Sequence, residues 1–111
     1  MTHKVALGLQ SLGVKKNDVV SCQLPNWWEF SLIYLACNKI GAVINPLMPI
    51  FREHELTFML QHAETKILIV PRSFKNFNHE ELAYKLQSRI KKLQHIVVVD
   101  GLGENNFNKI T

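Results

Sequence analysis

Two kinds of apolar pattern alternate along this chain. Continuous apolar runs, such as KILIV and HIVVV, are typical of strands buried on both faces. Between them, apolar residues recur every three or four positions, which indicates helices with one buried face. The resulting order is α-β-α-β-α-β-α-β. The predicted helices span residues 3–12, 27–40, 51–63 and 78–93, and the predicted strands span residues 19–24, 42–47, 66–70 and 95–99.

This order predicts an α/β fold in which a parallel sheet is covered by helices. We expect one α/β unit over residues 1–101, followed by a polar tail over residues 102–111. The helix over residues 27–40 is apolar around most of its circumference. Such a helix is expected to be buried on more than one side. A domain of 111 residues would struggle to cover it, so this helix hints at a larger protein.

The ends of that helix carry specific signals. Asn26 and Glu29 form a capping-box pattern at its start. Gly41 follows its last apolar residue, where a positive φ commonly closes a helix. Pro46 and Pro49 prevent the next strand from continuing far in the middle of a sheet.

Equivalent signals bound two of the other helices. Gly13 is expected to end the first helix, with Val14 folding back on its last turn. Asn78 and Glu81 repeat the capping-box pattern before the last helix. Pro71 is expected to stop the third strand.

The composition argues against several classes of protein. The chain is 47% hydrophobic and carries a net charge of +4 from scattered basic residues. Nucleic-acid binders more often cluster their basic residues on one face, so no nucleic-acid partner is predicted. The sequence has no apolar run of membrane-spanning length and no secretory signal, which favours a cytoplasmic protein.

Motifs for metal or nucleophilic chemistry are weak. Cys22 and Cys37 are best interpreted as buried thiols. The five histidines include no HExxH pair, so no metal site is predicted, and His54 and His79 are interpreted as solvated residues at helix starts. The glycines of residues 101–103 form an incomplete dinucleotide fingerprint, and no GxSxG motif is present.

Aromatic and loop residues mark one candidate binding region. Trp27 and Trp28 open a helix at the carboxyl end of a strand, where ligands of open α/β sheets tend to bind. Asn45, Pro46 and Phe51 belong to the segment that leaves the same edge. These residues are candidates for a wall beside an acyl or aryl group. Packing against a neighbouring domain is the competing interpretation.

The order of several short motifs resembles one enzyme family. The chain reads LPN, two residues, EF, then an apolar helix, then GAV, two residues, PL. This pattern is similar to the early part of the adenylate-forming acyl-CoA synthetases, in particular medium-chain or alicyclic acyl-CoA ligases. The residues that carry the resemblance are Leu24, Pro25, Asn26, Glu29, Phe30, Gly41, Ala42, Val43, Pro46 and Leu47.

The resemblance implies a Rossmann-like subdomain and a role in fatty acid metabolism. Family members use ATP and magnesium to form an acyl-adenylate, then pass the acyl group to coenzyme A. Their phosphate loop, ribose-binding aspartate and catalytic lysine have no match in this sequence. No catalytic or cofactor-binding residue is therefore predicted.

We expect a fragment that binds no cofactor, is inactive alone and acts with the remainder of its synthetase. The alternative is a free-standing α/β binding or interaction module that retained the fold and lost the chemistry.

Overall fold

The computed structural model describes residues 2–24, 28–73 and 76–99, without the side chains of residues 2–4 and 28–29. Helices and strands alternate in the predicted order along this part of the chain. The elements are α1 (Thr2–Ser11), β1 (Val19–Cys22), α2 (Trp28–Ile40), β2 (Val43–Pro46), α3 (Glu53–His62), β3 (Thr65–Pro71), α4 (His79–Arg89) and β4 (His95–Val99).

The four strands form one parallel sheet in the order β2-β1-β3-β4. Val20 pairs with Ile44 on one side and with Ile67 on the other, and Leu68 pairs with Ile96. β2 and β4 therefore form the two edges of this sheet. The predicted α/β fold with a parallel sheet is confirmed.

Side-chain alternation along the strands divides the core into two layers. Ile67 and Ile69 of β3 belong to a cluster with residues of α1 and α2. Leu68 and Val70 belong to a second cluster with residues of α3 and α4. The helices therefore cover both faces of the sheet, which explains why β3 and β4 read as continuous apolar runs. Each fully buried aliphatic side chain contributes about 1.5–3 kcal/mol to folding.

The glycines predicted to close helices do so. Gly13 has φ of 93°, and the Val14 N–H donates to the Leu9 carbonyl at 3.2 Å. Gly41 has φ of 77°, and the Ala42 N–H donates to the Cys37 carbonyl at 2.9 Å. In both turns the left-handed glycine lets the chain fold back and satisfy a carbonyl at the helix end.

The cap of α4 is confirmed at Asn78. The Glu81 N–H donates to Asn78 Oδ1 at 2.9 Å at the start of α4. The first described residue of α2 is Trp28, and the predicted cap Asn26 lies outside the described residues. β2 is an edge strand whose last residue is Pro46, in agreement with the predicted effect of proline.

Several element boundaries differ from the prediction by one or more residues. α4 ends at Arg89 and not near residue 93, because Ile90 adopts an extended conformation with φ of −111° and ψ of 110°. β3 ends at Pro71 as predicted, but Pro71 is itself the last strand residue, paired with Val99. α3 begins at Glu53, after an extended Arg52, and not at residue 51.

Among the residues that the structure describes, α2 is covered on one side. Ile33, Ala36 and Cys37 are buried, whereas Tyr34 and Leu35 are 46% and 52% exposed. This agrees with the expectation that 111 residues struggle to cover α2, and its burial on more than one side within a larger protein stays a prediction. Its second apolar side faces outward.

No helix in residues 2–24, 28–73 and 76–99 is long and apolar enough to cross a membrane.

Candidate functional site at the carboxyl edge of the sheet

All four strands end at one edge of the sheet, at Cys22, Pro46, Pro71 and Val99. From β1 the chain runs outward to β2, then returns past β1 to β3 and β4. This reversal lies between β1 and β3. In open parallel sheets the crevice at such a reversal is the usual place for a ligand, so the segments that leave β1, β2 and β3 define the candidate site.

Gln23 fixes one wall of this region. Its side chain is buried, and Nε2 donates to the carbonyl oxygens of Met48 and Phe51, both at 3.0 Å. One amide therefore joins the end of β1 to the loop between β2 and α3. Gln23 was not among the predicted site residues, and the signal that the sequence offers for it is a polar residue within the run VVSCQL.

Arg52 joins the same loop to the segment before α4. Its Nη1 donates to the carbonyl oxygens of Pro49 at 2.6 Å and Phe51 at 3.0 Å. Its guanidinium carbon lies 3.8 Å from the centre of the Phe77 ring. This is a cation–π contact, which contributes about 0.5–2 kcal/mol.

His79 is buried beside these residues, at the first position of α4. It is 1% exposed, and neither ring nitrogen has a hydrogen-bond partner in the described part of the chain. Its ring meets the Phe77 ring edge-on, with 4.9 Å between the centres. Burial first, and the nearby Arg52 charge second, lower the pKa of His79 to about 4.

His79 is therefore neutral at physiological pH. The interpretation of His79 as a solvated residue is wrong, because the loop before α4 folds its ring under Phe77.

A row of polar side chains crosses the sheet on the face of α3 and α4. Asn45 Nδ2 donates to Ser21 Oγ at 3.1 Å, and Ser21 Oγ and Thr65 Oγ1 are 2.7 Å apart. The row links β2, β1 and β3. The Asn45 amide therefore makes a structural hydrogen bond within the sheet, one residue before β2 ends at Pro46.

The structure brings three of the five candidate site residues together. Asn45, Pro46 and Phe51 line one cavity of about 230 Å³, together with Leu47, Phe58, Met59, His62 and Ala63. Trp28 begins α2, but its side chain is not described, and Trp27 lies outside the described residues. The cavity lining is mostly apolar, which suits a hydrophobic group more than a phosphate.

Nucleophilic and metal chemistry find no support in the described residues. Cys22 and Cys37 are free and buried, as predicted. Burial raises the pKa of Cys22 to about 12 and that of Cys37 to about 11, so both remain protonated thiols. The residues that the structure describes contain no group of three or more His, Cys, Asp or Glu able to hold a metal ion.

The family described as AMP-binding enzyme matches residues 1–110 of this chain. The chain belongs to this AMP-binding family. The resemblance to acyl-CoA synthetases noted from the sequence is thereby confirmed.

Curated relatives of this AMP-binding chain include CoA ligases. It is 44% identical over 90 residues to the medium-chain fatty-acid–CoA ligase of Escherichia coli strain K12, covering 81% of this chain and 16% of the relative. It is 35% identical over 106 residues to the peroxisomal benzoate–CoA ligase of Arabidopsis thaliana, covering 96% of this chain and 18% of the relative. The chain thus spans less than a fifth of the length of these relatives.

Solved structures agree. Coronafacic acid ligase from Pectobacterium brasiliense is 29% identical with a TM-score of 0.78, and the match covers 98% of this chain and 22% of that one. The anthranilate CoA ligase AuaEII, solved with anthranoyl-AMP, has a TM-score of 0.85 at 23% identity, covering 98% of this chain and 20% of that one. The second match shows the fold alone. The described α/β unit therefore has the fold of part of an adenylate-forming enzyme.

Proposed function

We propose that this chain forms the early α/β part of an ATP-dependent carboxylate–CoA ligase. In such a ligase the carboxylate attacks the α-phosphorus of ATP, forming an acyl-adenylate and releasing pyrophosphate, and the acyl group then passes to the thiol of coenzyme A, releasing AMP. The observation that carries the proposal is the 44% identity to a medium-chain fatty-acid–CoA ligase over 81% of this chain. That relative favours a fatty acid as the carboxylate and a role in fatty acid metabolism.

The described residues do not fit a site for ATP and magnesium. They contain no cluster of metal-ligating side chains. The sequence also has no glycine-rich phosphate loop ending in lysine. We therefore assign ATP, magnesium and coenzyme A to the rest of the ligase, and propose that this chain alone forms no acyl-adenylate.

The proposed contribution of this chain is a wall beside the acyl group. Trp27, Trp28, Asn45, Pro46 and Phe51 are its proposed members. The apolar cavity that Asn45, Pro46 and Phe51 share supports this assignment. The division into an α/β unit over residues 1–101 and a tail over residues 102–111 belongs to the same proposal, and a cytoplasmic location stays a prediction.

A chimaeric enzyme tests the proposed function. The segment of the Escherichia coli ligase that matches this chain is replaced by this chain, and fatty-acid-dependent exchange of pyrophosphate into ATP is measured. We expect exchange from the chimaera, and none from this chain alone or from the ligase lacking the segment. A folded chimaera without exchange would contradict the proposed role. Acyl-adenylate formation by the isolated chain would contradict the proposed dependence on the rest of the enzyme.

A further inference from the structure

The strand β4 lies at one edge of the sheet, and in the part of the chain that the structure describes no strand pairs with its outer side. Its sequence, HIVVV, contains no proline and no Asp, Glu, Lys or Arg. Its register with β3 is uninterrupted along the whole strand. Edge strands are usually protected from further pairing by proline, charged side chains or bulges. Because β4 has none of these, it can serve as a template for another strand.

The direction of the backbone groups along β4 determines which of them a new strand would meet. The Gln94 N–H donates to the Lys66 carbonyl at 2.8 Å, toward β3. Backbone groups of alternate residues point to the same neighbour in a parallel pair, so Ile96 also bonds to β3. His95 and Val97 therefore direct their N–H and C=O groups outward. The outer side of β4 thus presents both donors and acceptors to a partner.

The opposite edge of the sheet, β2, is a poorer template. The N–H groups of Val43 and Leu47 donate toward β1, at 2.8 and 2.9 Å. By the same alternation Ile44 and Pro46 face outward, and Pro46 has no N–H to donate. Within β2 only Ile44 can therefore donate to an added strand. A second copy of the chain is expected to pair through β4 and not through β2.

Two β4 strands are complementary to each other. Two copies of one strand that are related by a two-fold axis run antiparallel. His95 of each copy then faces Val97 of the other, and about four backbone hydrogen bonds join the two strands. Because this contact uses the β4 edge of both copies, only the β2 edges remain. The assembly therefore closes as a dimer and does not grow into a filament.

The charges of α4 suit the same arrangement. α4 packs on β4 through Leu86. Its first turn carries Glu80 and Glu81, its last turn carries Arg89, and the exposed Lys91 follows. The two-fold axis sets the α4 helices of the two copies antiparallel on the same face of the joined sheet, so the acidic end of each lies on the side of the basic end of the other. This charge complementarity favours a second copy as the partner.

We propose that β4 is a dimerisation edge, at which two copies of this chain pair antiparallel through His95–Val99 and form one continuous sheet. This proposal goes beyond the ligase function and does not rest on it. The chimaera tests that function separately, whatever the assembly of the isolated chain.

Amide hydrogen exchange, measured by NMR over a dilution series of the native chain, tests the pairing directly. The Val97 N–H should exchange at least about tenfold more slowly at high than at low protein concentration, because the dimer must open before this group reaches solvent. The Ile96 N–H, which bonds to β3, should be protected at every concentration. The Ile44 N–H, at the outer side of β2, should exchange rapidly at every concentration.

Two substitutions at one position test whether the backbone carries the contact. His95→Pro removes an outward N–H, and proline is tolerated at the first residue of a strand. His95→Ala is the matched control, because it removes the imidazole and keeps the N–H. In sedimentation velocity at high concentration we expect dimers of the native chain and of His95→Ala, and monomers of His95→Pro. Circular dichroism shows whether each variant is folded. If His95→Pro unfolds, the exchange rates of the native chain decide.

Several outcomes would overturn the proposal. A monomer at all concentrations, with rapid exchange at Val97, would show that the edge stays open. Protection of Val97 that does not depend on concentration would mean that the chain covers this edge itself. Protection of Ile44 at high concentration, or a mass above that of a dimer, would show that β2 takes part. Loss of the dimer in His95→Ala would assign the contact to the imidazole and not to strand pairing.

Discussion

Burial of His79 makes a quantitative prediction about acid stability. The ordinary pKa of 6.5 falls to about 4 in the folded protein, chiefly through burial and secondarily through the Arg52 charge. A folded-state pKa below the unfolded value means that unfolding takes up a proton on acidification. Above about pH 6.5 the His79 imidazole is neutral in both states and does not change the free energy of unfolding with pH. As the pH falls from about 6.5 toward about 4, the free energy of unfolding decreases progressively.

The magnitude follows from the two pKa values. The full drop from 6.5 to about 4 corresponds to about 3 kcal/mol, at 1.36 kcal/mol for each pKa unit. At pH 4.5 about 2.5 kcal/mol of this is already lost, because the unfolded histidine is almost fully protonated there and the folded one is mostly neutral. A domain of this size typically has only about 5–15 kcal/mol of stability, so the loss is measurable.

The assay is urea unfolding followed by circular dichroism, at pH 7.5 and pH 4.5. Because carboxylates also titrate in this range, the native protein is compared with His79→Leu, which removes only the buried imidazole. We expect the native protein to lose about 2.5 kcal/mol more than His79→Leu between the two pH values. His54→Leu, at an exposed position, is the matched control for the effect of replacing a histidine by leucine.

Equal pH dependence in the native protein and His79→Leu would refute this reasoning. It would mean that the His79 ring reaches solvent or a hydrogen-bond partner in the folded protein.

Three further predictions concern single positions. Gly41→Ala should lower the free energy of unfolding by about 1–2 kcal/mol, because φ is 77° and the new Cβ would lie 3.1 Å from a lysine side-chain carbon. The control Gly8→Ala, within α1, should be neutral or stabilising when measured by the same urea titration. Gln23→Leu should lower the free energy of unfolding by about 1–3 kcal/mol and speed proteolysis of the loop after β2, because two carbonyl oxygens lose their donor. An unchanged rate of cleavage would show that another group holds the loop. Cys22 and Cys37, with pKa values of about 12 and 11, should not react with a thiol reagent at pH 8 until urea unfolds the chain; rapid reaction in the native protein would contradict their burial.

Residues whose local sequence is unambiguous were placed correctly from the sequence. KILIV and HIVVV became β3 and β4, because continuous apolar runs can be accommodated only where both faces of a strand are covered. Gly13 and Gly41 adopt the positive φ that helix ends require. Ile90 and Leu93 were placed in the last helix from their spacing, which was wrong. Both are buried as their helical spacing suggests, yet they lie beyond the end of α4 in a turn that buries them equally well.

The candidate site was less predictable, because its contacts join segments far apart in the chain. Gln23 hydrogen-bonds to residues 25 and 28 positions away, and no local pattern reports such partners. His79 reads as a polar helix start from its neighbours, and only the fold of the preceding loop buries it under Phe77. Asn45 was expected in an edge loop, but pairing of β2 with β1 turns its amide toward Ser21.

The sequence by itself determined the order of helices and strands, the parallel α/β class and the family, because each depends on local periodicity, turn chemistry and short motifs. The tertiary structure decided the strand order, the face to which each helix packs, and the set of side chains left exposed. These depend on contacts between distant segments. Phe58, one apolar residue among many in the sequence, is left exposed because α3 packs on the sheet through Leu56 and Leu60.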